Sequence, residues 1–113
     1  MRIVGYVPDL MDRSRWSAVA HVAEPADLAG AEADLVVVDL DRLPTLDLLA
    51  DIGAPTLGFC SHVHDELRDA ALAAGCDEVV PRSRMARVLT DRLTGAEDVR
   101  RPDETGPTPE TGR

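Results

Sequence analysis

Polar side chains suited to phosphoryl and metal chemistry directly follow several short apolar runs of the sequence. The candidates are Asp9 after the first run, Asp39 and Asp41 after the third, Cys60, Ser61 and His62 after the fourth, and Arg82 after the fifth. Carboxylates bind hard divalent cations, whereas a guanidinium and a hydroxyl bind phosphoryl oxygens. Brought to one place, this set could hold a divalent cation and a phosphoryl group.

A second chemical pattern is the segment Cys60-x-His62-x-His64, whose thiol and imidazoles are able to bind a transition metal. Cys60 could also act as a nucleophile, activated by the N-terminus of the following helix and a nearby imidazole. However, Cys60 ends an apolar run typical of a buried strand, and alternate residues point apart once a helix begins. We therefore expect no bound metal and an unreactive thiol.

The elements that position these side chains follow from the alternation of apolar runs with amphipathic segments. The predicted strands are residues 2–6, 19–23, 34–40, 56–60 and 76–80. The third run, DLVVVDL, is apolar on both faces, as strands of a parallel sheet covered by helices are. Five βα pairs with right-handed crossovers predict a doubly wound, three-layer α/β/α domain of flavodoxin-like topology.

Capping residues predict where the five helices lie. Asp9 is the predicted N-cap of a first helix reaching about residue 18, Pro25 opens the second, and the third lies between Pro44 and Gly53. Ser61 is the predicted N-cap of a fourth helix that Gly75 ends, and residues 85–93 form the fifth.

In such a sheet, ligands bind beyond the carboxyl ends of the strands, near the point where the winding reverses. For this strand order the point lies between the first and third strands, so the candidate side chains should converge there. A nucleotide cofactor is disfavoured because no Gly-rich phosphate loop follows the first strand.

Two segments give the chain a family resemblance. They are DLVVVDL at 34–40 and LGFCSHVHDELRDAALAAGCDEVVPRS at 57–83. Over residues 1–93 the chain resembles the receiver domain of two-component response regulators, the CheY-like domains. The resemblance implies that Asp39 stands at the phospho-accepting position.

The other positions at which that family carries its chemistry are altered. Val7 and Pro8 replace an acidic pair that binds magnesium, Cys60 replaces a Thr or Ser, and Arg82 replaces a Lys. Phosphoryl transfer to a carboxylate requires a cation to offset the charge on the equatorial oxygens. We therefore expect a stand-alone pseudo-receiver that is not an enzyme, has no cofactor, and acts through protein–protein contacts.

Two alternatives remain open. One is a true receiver that is phosphorylated on Asp39, with Mg²⁺ held by Asp9 and Asp39. The other is a small-molecule-binding or redox domain of flavodoxin-like shape. Under the leading hypothesis the partner is another protein or a second copy, and the resemblance implies a contact surface around the fourth helix, fifth strand and fifth helix. The side chains expected there form a mixed-charge set suited to a two-fold dimer, namely Arg68, Asp69, Asp77, Arg84 and Arg87.

Composition limits the partners and the location. The net charge is -9 and all 12 Lys or Arg residues are Arg, which excludes a lysine Schiff base and disfavours nucleic acid and anionic membrane as partners. The N-terminal residues 1–6 have a strand pattern instead of a secretory signal, so we expect a cytoplasmic protein with reduced cysteines. The abundance of Ala, Arg, Asp and Leu indicates a bacterial source with a GC-rich genome. Residues 95–113 are rich in Pro and Gly, which predicts a disordered tail after a domain at 1–94.

Overall fold

The computed structural model describes residues 1–94, so the predicted tail at 95–113 lies outside the described residues. One sheet contains β1 (Ile3–Tyr6), β2 (Val19–His21), β3 (Leu35–Asp39), β4 (Thr56–Cys60) and β5 (Glu78–Pro81). All neighbouring strands are parallel, in the order β2-β1-β3-β4-β5. This order reverses direction between β1 and β3 and confirms the prediction of a flavodoxin-like α/β fold.

Within residues 1–94 the sheet is accompanied by three α-helices, α1 (Leu10–Arg15), α2 (Asp65–Ala74) and α3 (Met85–Thr94). Where the second and third helices were predicted, the chain instead forms the short 3-10 segments Pro25–Leu28 and Leu46–Asp51, and Arg82–Arg84 is a further one. That part of the prediction was wrong because both segments are short. Pro25 and Gly30 bound the first, and Pro44 and Gly53 bound the second. Such connections fit only one or two turns, for which 3-10 geometry is common.

Three other predicted boundaries were also wrong. The first helix ends at Arg15, short of residue 18, because Trp16 leaves the helix to pack in the core. The helix after β4 begins at Asp65 with His64 as N-cap, so Ser61 does not cap it. Strand β5 begins only at Glu78, since Asp77 is used to bond the backbone of Thr56 in both directions.

Alternate residues of the central strands supply two hydrophobic cores, one on each face of the sheet. Leu35 and Val37 point to the face covered by α1 and α3, and Val36 and Val38 point to the opposite face. On the first face Trp16 packs edge-on against Phe59, with ring centroids 5.0 Å apart. Burial of both faces explains why β3 lacks polar alternation. Across residues 1–94, no helix is long and apolar enough to cross a membrane.

The core on the side of Val36 and Val38 is covered by the 3-10 segments Pro25–Leu28 and Leu46–Asp51 and by α2. Leu28, Leu49 and Ala71 project from these three elements into it. Gly75 ends α2 with a φ of 128°, and a Cβ there would lie 3.0 Å from the carbonyl oxygen of Leu49. The turn from α2 to β5 therefore requires glycine, both for its backbone conformation and for its close contact with the neighbouring segment.

Replacing Gly75 with Ala should lower the free energy of unfolding by about 1–3 kcal/mol, because it imposes backbone strain and a clash with backbone atoms. Urea denaturation measures the loss. Gly53→Ala is the matched control, since a Cβ at Gly53 meets no atom within 4 Å. Equal midpoints for the two variants would contradict this account of the turn.

Candidate functional site

Arg82, the first residue after β5, connects the loops at the carboxyl end of the sheet. Its Nη1 donates to Oδ2 of Asp12 in a short ion pair, and its Nη2 lies 3.4 Å from Oδ2 of Asp39. The same Nη2 lies 3.7 Å from Oδ2 of Asp41. One guanidinium therefore serves three carboxylates, which come from α1, from β3 and from the loop after β3.

The surroundings of Arg82 fix the position of its guanidinium. Its Cζ lies 5.1 Å from the ring centroid of Phe59 on β4, a cation–π contact. Its planar fork allows one nitrogen to reach Asp12 while the other reaches Asp39, which a single ammonium could not do in this arrangement. The contacts at position 82 therefore require the guanidinium of an arginine.

Asp39 and Asp41 organise the neighbouring loops. Oδ1 of Asp39 accepts from the backbone N–H of Asp41 at 3.0 Å, which closes the turn after β3. Oδ2 of Asp41 accepts from both the backbone N–H and the hydroxyl of Ser61, at 2.8 and 3.0 Å. Ser61 thus ties the loop after β4 to the loop after β3.

Asp12 belongs to this site although the sequence analysis did not single it out. Its side chain is 3% exposed and contacts Arg82 as well as Arg15, the latter at 3.8 Å. Asp12 therefore adds a second buried carboxylate, beside Asp39, to the surroundings of Arg82. No local pattern of the sequence indicated this role, because the contact of Asp12 is with Arg82, 70 positions away along the chain.

Asp9 plays a local role at the rim of the site. Its Oδ1 accepts from the backbone N–H groups of Met11 and Asp12, at 2.9 and 3.2 Å, as an N-cap does. These bonds, that from Asp12 first and that from Met11 next, hold the pKa of Asp9 below its ordinary value. The prediction of Asp9 as N-cap is correct in the structure, and its carboxylate is engaged by backbone.

Burial and charge act in opposite directions on the two central groups. Burial raises the pKa of Asp39 above its ordinary value, and the attraction of Arg82 offsets this only in part because the guanidinium is shared. For Arg82, burial disfavours the cation, but the carboxylates of Asp39 and Asp12 outweigh it and raise the pKa further. Arg82 is therefore a permanent cation.

The carboxylates do not fit a bound Mg²⁺. The guanidinium lies between Asp12, Asp39 and Asp41, where a cation shared by these carboxylates would have to sit. Within residues 1–94, no group of three or more His, Cys, Asp or Glu side chains is arranged to hold a metal ion. Mg²⁺ also requires oxygen ligands in near-octahedral geometry at short distances. The guanidinium of Arg82 occupies the space that such an ion would need.

The sulfur and imidazole groups of the Cys60-x-His62-x-His64 segment do not converge. Cys60 is fully buried in the core beneath α2, and its thiol donates to the backbone carbonyl of His62 at 3.3 Å. Burial raises the pKa of Cys60, and the carboxylates of Asp41 and Asp39 raise it further. His62 and His64 instead line an open cleft of about 620 Å³ over the site.

That cleft is bordered chiefly by charged and polar side chains. Its lining includes Asp9, Asp12, Arg15, Asp41, Arg42, Ser61 and Arg82, with Met11 and Leu67 as the apolar members. Cys60, which the sequence analysis placed in the same pocket, lies below it and does not line it. Small-molecule pockets are lined mostly by apolar side chains with a few polar groups, whereas nine of the eleven residues that line this cleft are charged or polar.

The five predicted interface residues lie around β5 but on different sides of the sheet. Arg68 and Asp69 lie on α2, where Arg68 pairs with Asp65 at 3.1 Å and Asp69 at 3.9 Å. Arg84 ends the 3-10 segment before α3 and Arg87 lies in the first turn of α3, over the opposite face. The carboxylate of Asp77 accepts from the backbone N–H of Thr56 at 2.7 Å, so it is used within the fold.

Comparison with known proteins supports the fold. No protein-family model and no curated protein sequence matches the chain. A solved structure from Burkholderia pseudomallei, of a protein provisionally related to pilus assembly, is similar with a TM-score of 0.67 and 16% sequence identity. The similarity covers 92% of this chain and 94% of that one, so the fold is shared over nearly the full length of both.

Substituting Arg82 with Met should lower the free energy of unfolding at pH 7 by about 3 kcal/mol, because it leaves two buried carboxylates without their cation. Urea denaturation at micromolar protein concentration provides the measurement. Arg87→Met is the control, since Arg87 is exposed on α3 and should change stability by less than about 0.5 kcal/mol. Similar losses in both variants would show that Arg82 does not hold the site together.

The raised pKa of Asp39 predicts a pH dependence that Asp39→Asn should remove. Native Asp39 binds its proton more tightly than unfolded Asp39, so this residue's contribution to stability is full below its ordinary pKa of 3.8. It declines as the pH rises from there through the raised native value. The stability of wild type relative to Asp39→Asn should therefore fall over this window, and an increase would contradict the assignment.

Neither cysteine should react in the native protein at pH 7, because both thiols are buried and burial raises the pKa of each. A chromogenic disulfide reagent should label both only after unfolding in urea. Labelling of native Cys60 at the rate of a free thiol would instead revive the nucleophile hypothesis, and Cys60→Ala would identify the reacting group.

Proposed function

We propose that this protein is a pseudo-receiver: a domain with a receiver-like fold that works through contacts with other proteins and not through phosphoryl transfer. The observation that carries the proposal is the guanidinium of Arg82 among Asp12, Asp39 and Asp41. This internal cation neutralises carboxylates that a phospho-accepting site must leave free to bind a metal ion.

The accessibility of Asp39 also supports the proposal. Its side chain is 0% exposed, Oδ1 accepts from the backbone of Asp41, and Oδ2 faces Arg82. A nucleophilic carboxylate oxygen must approach phosphorus within about 3–3.5 Å along the line of the leaving bond. Phosphorylation would require Asp39 to give up both contacts and the loops above it to open.

An interaction role is consistent with the remaining features. The carboxyl-end loops are tied together by Arg82 and Ser61, which gives the domain a rigid surface. The similar Burkholderia protein is named for assembly, which accords with a contact-based role although the similarity itself concerns the fold. We place the protein in the cytoplasm, with another protein or a second copy as partner and with neither nucleic acid nor membrane as ligand.

Incubation with acetyl phosphate and Mg²⁺, followed by intact-mass measurement, tests the proposal. We expect wild-type protein to gain no phosphoryl group, while a phospho-accepting receiver treated in the same way serves as the positive control. A stoichiometric adduct on wild type that disappears in Asp39→Asn would overturn the pseudo-receiver assignment and establish the alternative, a phospho-acceptor that uses Asp39.

A further inference from the structure

Charge is unevenly distributed between the two faces of the domain. One face is covered by the 3-10 segments Pro25–Leu28 and Leu46–Asp51 and by α2, all of which pack on the same core. We call it the acidic face, and its exposed carboxylates include Asp27, Asp47, Asp51, Glu66 and Asp69. Arg68 is the sole basic residue within these three elements.

The opposite face, covered by α1 and α3 together with the 3-10 segment Arg82–Arg84, carries the reverse charge. We call it the basic face, and Arg15, Arg84 and Arg87 are its exposed cations. Of the two carboxylates within its elements, Asp12 is buried against Arg82, and Asp91 is only half-buried near the end of α3. A chain with a net charge of -9 thus keeps a concentrated positive surface on one side.

Several exposed charges of the two faces have no ion-pair partner within the described part of the chain, although Arg15 and Asp69 do have one. Over residues 1–94, no carboxylate lies within 4.0 Å of the guanidinium of Arg84 or Arg87. The same holds for Asp47, Asp51 and Glu66, none of which has a basic group within that distance. Arg68 differs, because it pairs with carboxylates on its own helix.

We propose that the basic face of one copy docks on the acidic face of a second copy. Each face also presents exposed apolar side chains beside its charges: Leu10, Met11 and Leu93 on the basic face are 75%, 66% and 45% exposed, and Leu72 on the acidic face is 40% exposed. Opposite charges and apolar side chains can therefore meet across the contact. Because the faces lie on opposite sides of the sheet, the contact is head-to-tail and differs from the two-fold arrangement expected from the sequence.

A second copy is the occupant that the charge pattern favours, because both complementary faces occur on the same chain. The net negative charge opposes association, but at about 0.1 M salt the Debye length is near 10 Å. Groups in contact across the interface therefore attract, while charges on the far sides of the two domains are largely screened. Exposed ion pairs are individually weak, so the association is dynamic and sensitive to salt.

This inference deepens the interaction role proposed above and rests on it, but it does not depend on whether Asp39 accepts a phosphoryl group. A phosphoryl adduct in the mass measurement would therefore reject the pseudo-receiver assignment and leave the self-association untouched. Failure of self-association would leave the phosphodonor result equally unaffected.

Sedimentation of the full chain at about 50 mM and about 500 mM salt provides the first test. At the lower salt the average mass should exceed that of one 12.2 kDa chain and rise with protein concentration. At the higher salt it should return to that of a single chain. A single chain at both salts, up to millimolar protein, would overturn the proposal.

Charge reversal provides the decisive second test. Arg84→Glu/Arg87→Glu reverses two of the three exposed cations of the basic face, and Asp47→Arg/Asp51→Arg reverses two carboxylates of the acidic face, so each variant alone should associate at least about tenfold more weakly. An equimolar mixture should regain association, because the Arg-bearing variant now binds the Glu-bearing one. Arg2→Glu changes net charge outside both faces and should behave as wild type, with thermal melting used to confirm that every variant folds.

Other outcomes would contradict the proposal in distinct ways. Association that persists in both reversed variants, or that ignores salt, would place the contact elsewhere. A wild type that stays a single chain, yet shows chemical-shift changes on α2 with an added hexa-arginine peptide, would assign the acidic face to a basic partner of another kind. A response to a hexa-glutamate peptide confined to α3 would do the same for the basic face.

Discussion

One guanidinium shared by three carboxylates is the interaction on which the carboxyl end of this domain depends. Arg82 joins Asp12 of α1 and Asp39 of β3, with Asp41 close by, and it rests on the ring of Phe59. Buried carboxylates are costly unless they are paired. The same contacts that lower this cost occupy the space in which a receiver-like site would need a separate cation, so local stability and phosphoryl chemistry compete for one position.

This competition links the site to the rest of the molecule. With Asp39 committed to the turn after β3 and to Arg82, and with Asp41 committed to Ser61, the loops form a fixed rim. A fixed rim suits recognition better than a conformational switch, because switching needs an element with two arrangements of similar energy. Within residues 1–94, several exposed charges on the two sides of the sheet, such as those of Arg84, Arg87 and Asp47, have no ion-pair partner and are available for contacts with another molecule.

The fold was largely predictable from the sequence, whereas the site was predictable only in part. DLVVVDL at 34–40 and the Gly75 stop signal depend on local patterning, and both marked their elements correctly. The connections after Pro25 and Pro44 formed 3-10 turns because tertiary packing needs only a few residues there. Asp12 escaped notice because its role depends on Arg82, 70 positions away, which no local pattern reports. In the sequence, Asp9 directly follows Val7 and Pro8, the positions matched to an acidic pair. In the structure its carboxylate instead accepts hydrogen bonds from backbone N–H groups.

A magnesium titration followed by amide chemical shifts tests the central claim most directly. If Arg82 serves as the internal cation, the amides of Asp12, Asp39 and Asp41 should show no saturable change up to about 10 mM Mg²⁺, a concentration at which a binding free energy of about 3 kcal/mol would already be visible. In folded Arg82→Met protein the same amides should respond more strongly. Saturable, submillimolar binding by the wild type at these three residues would contradict the account.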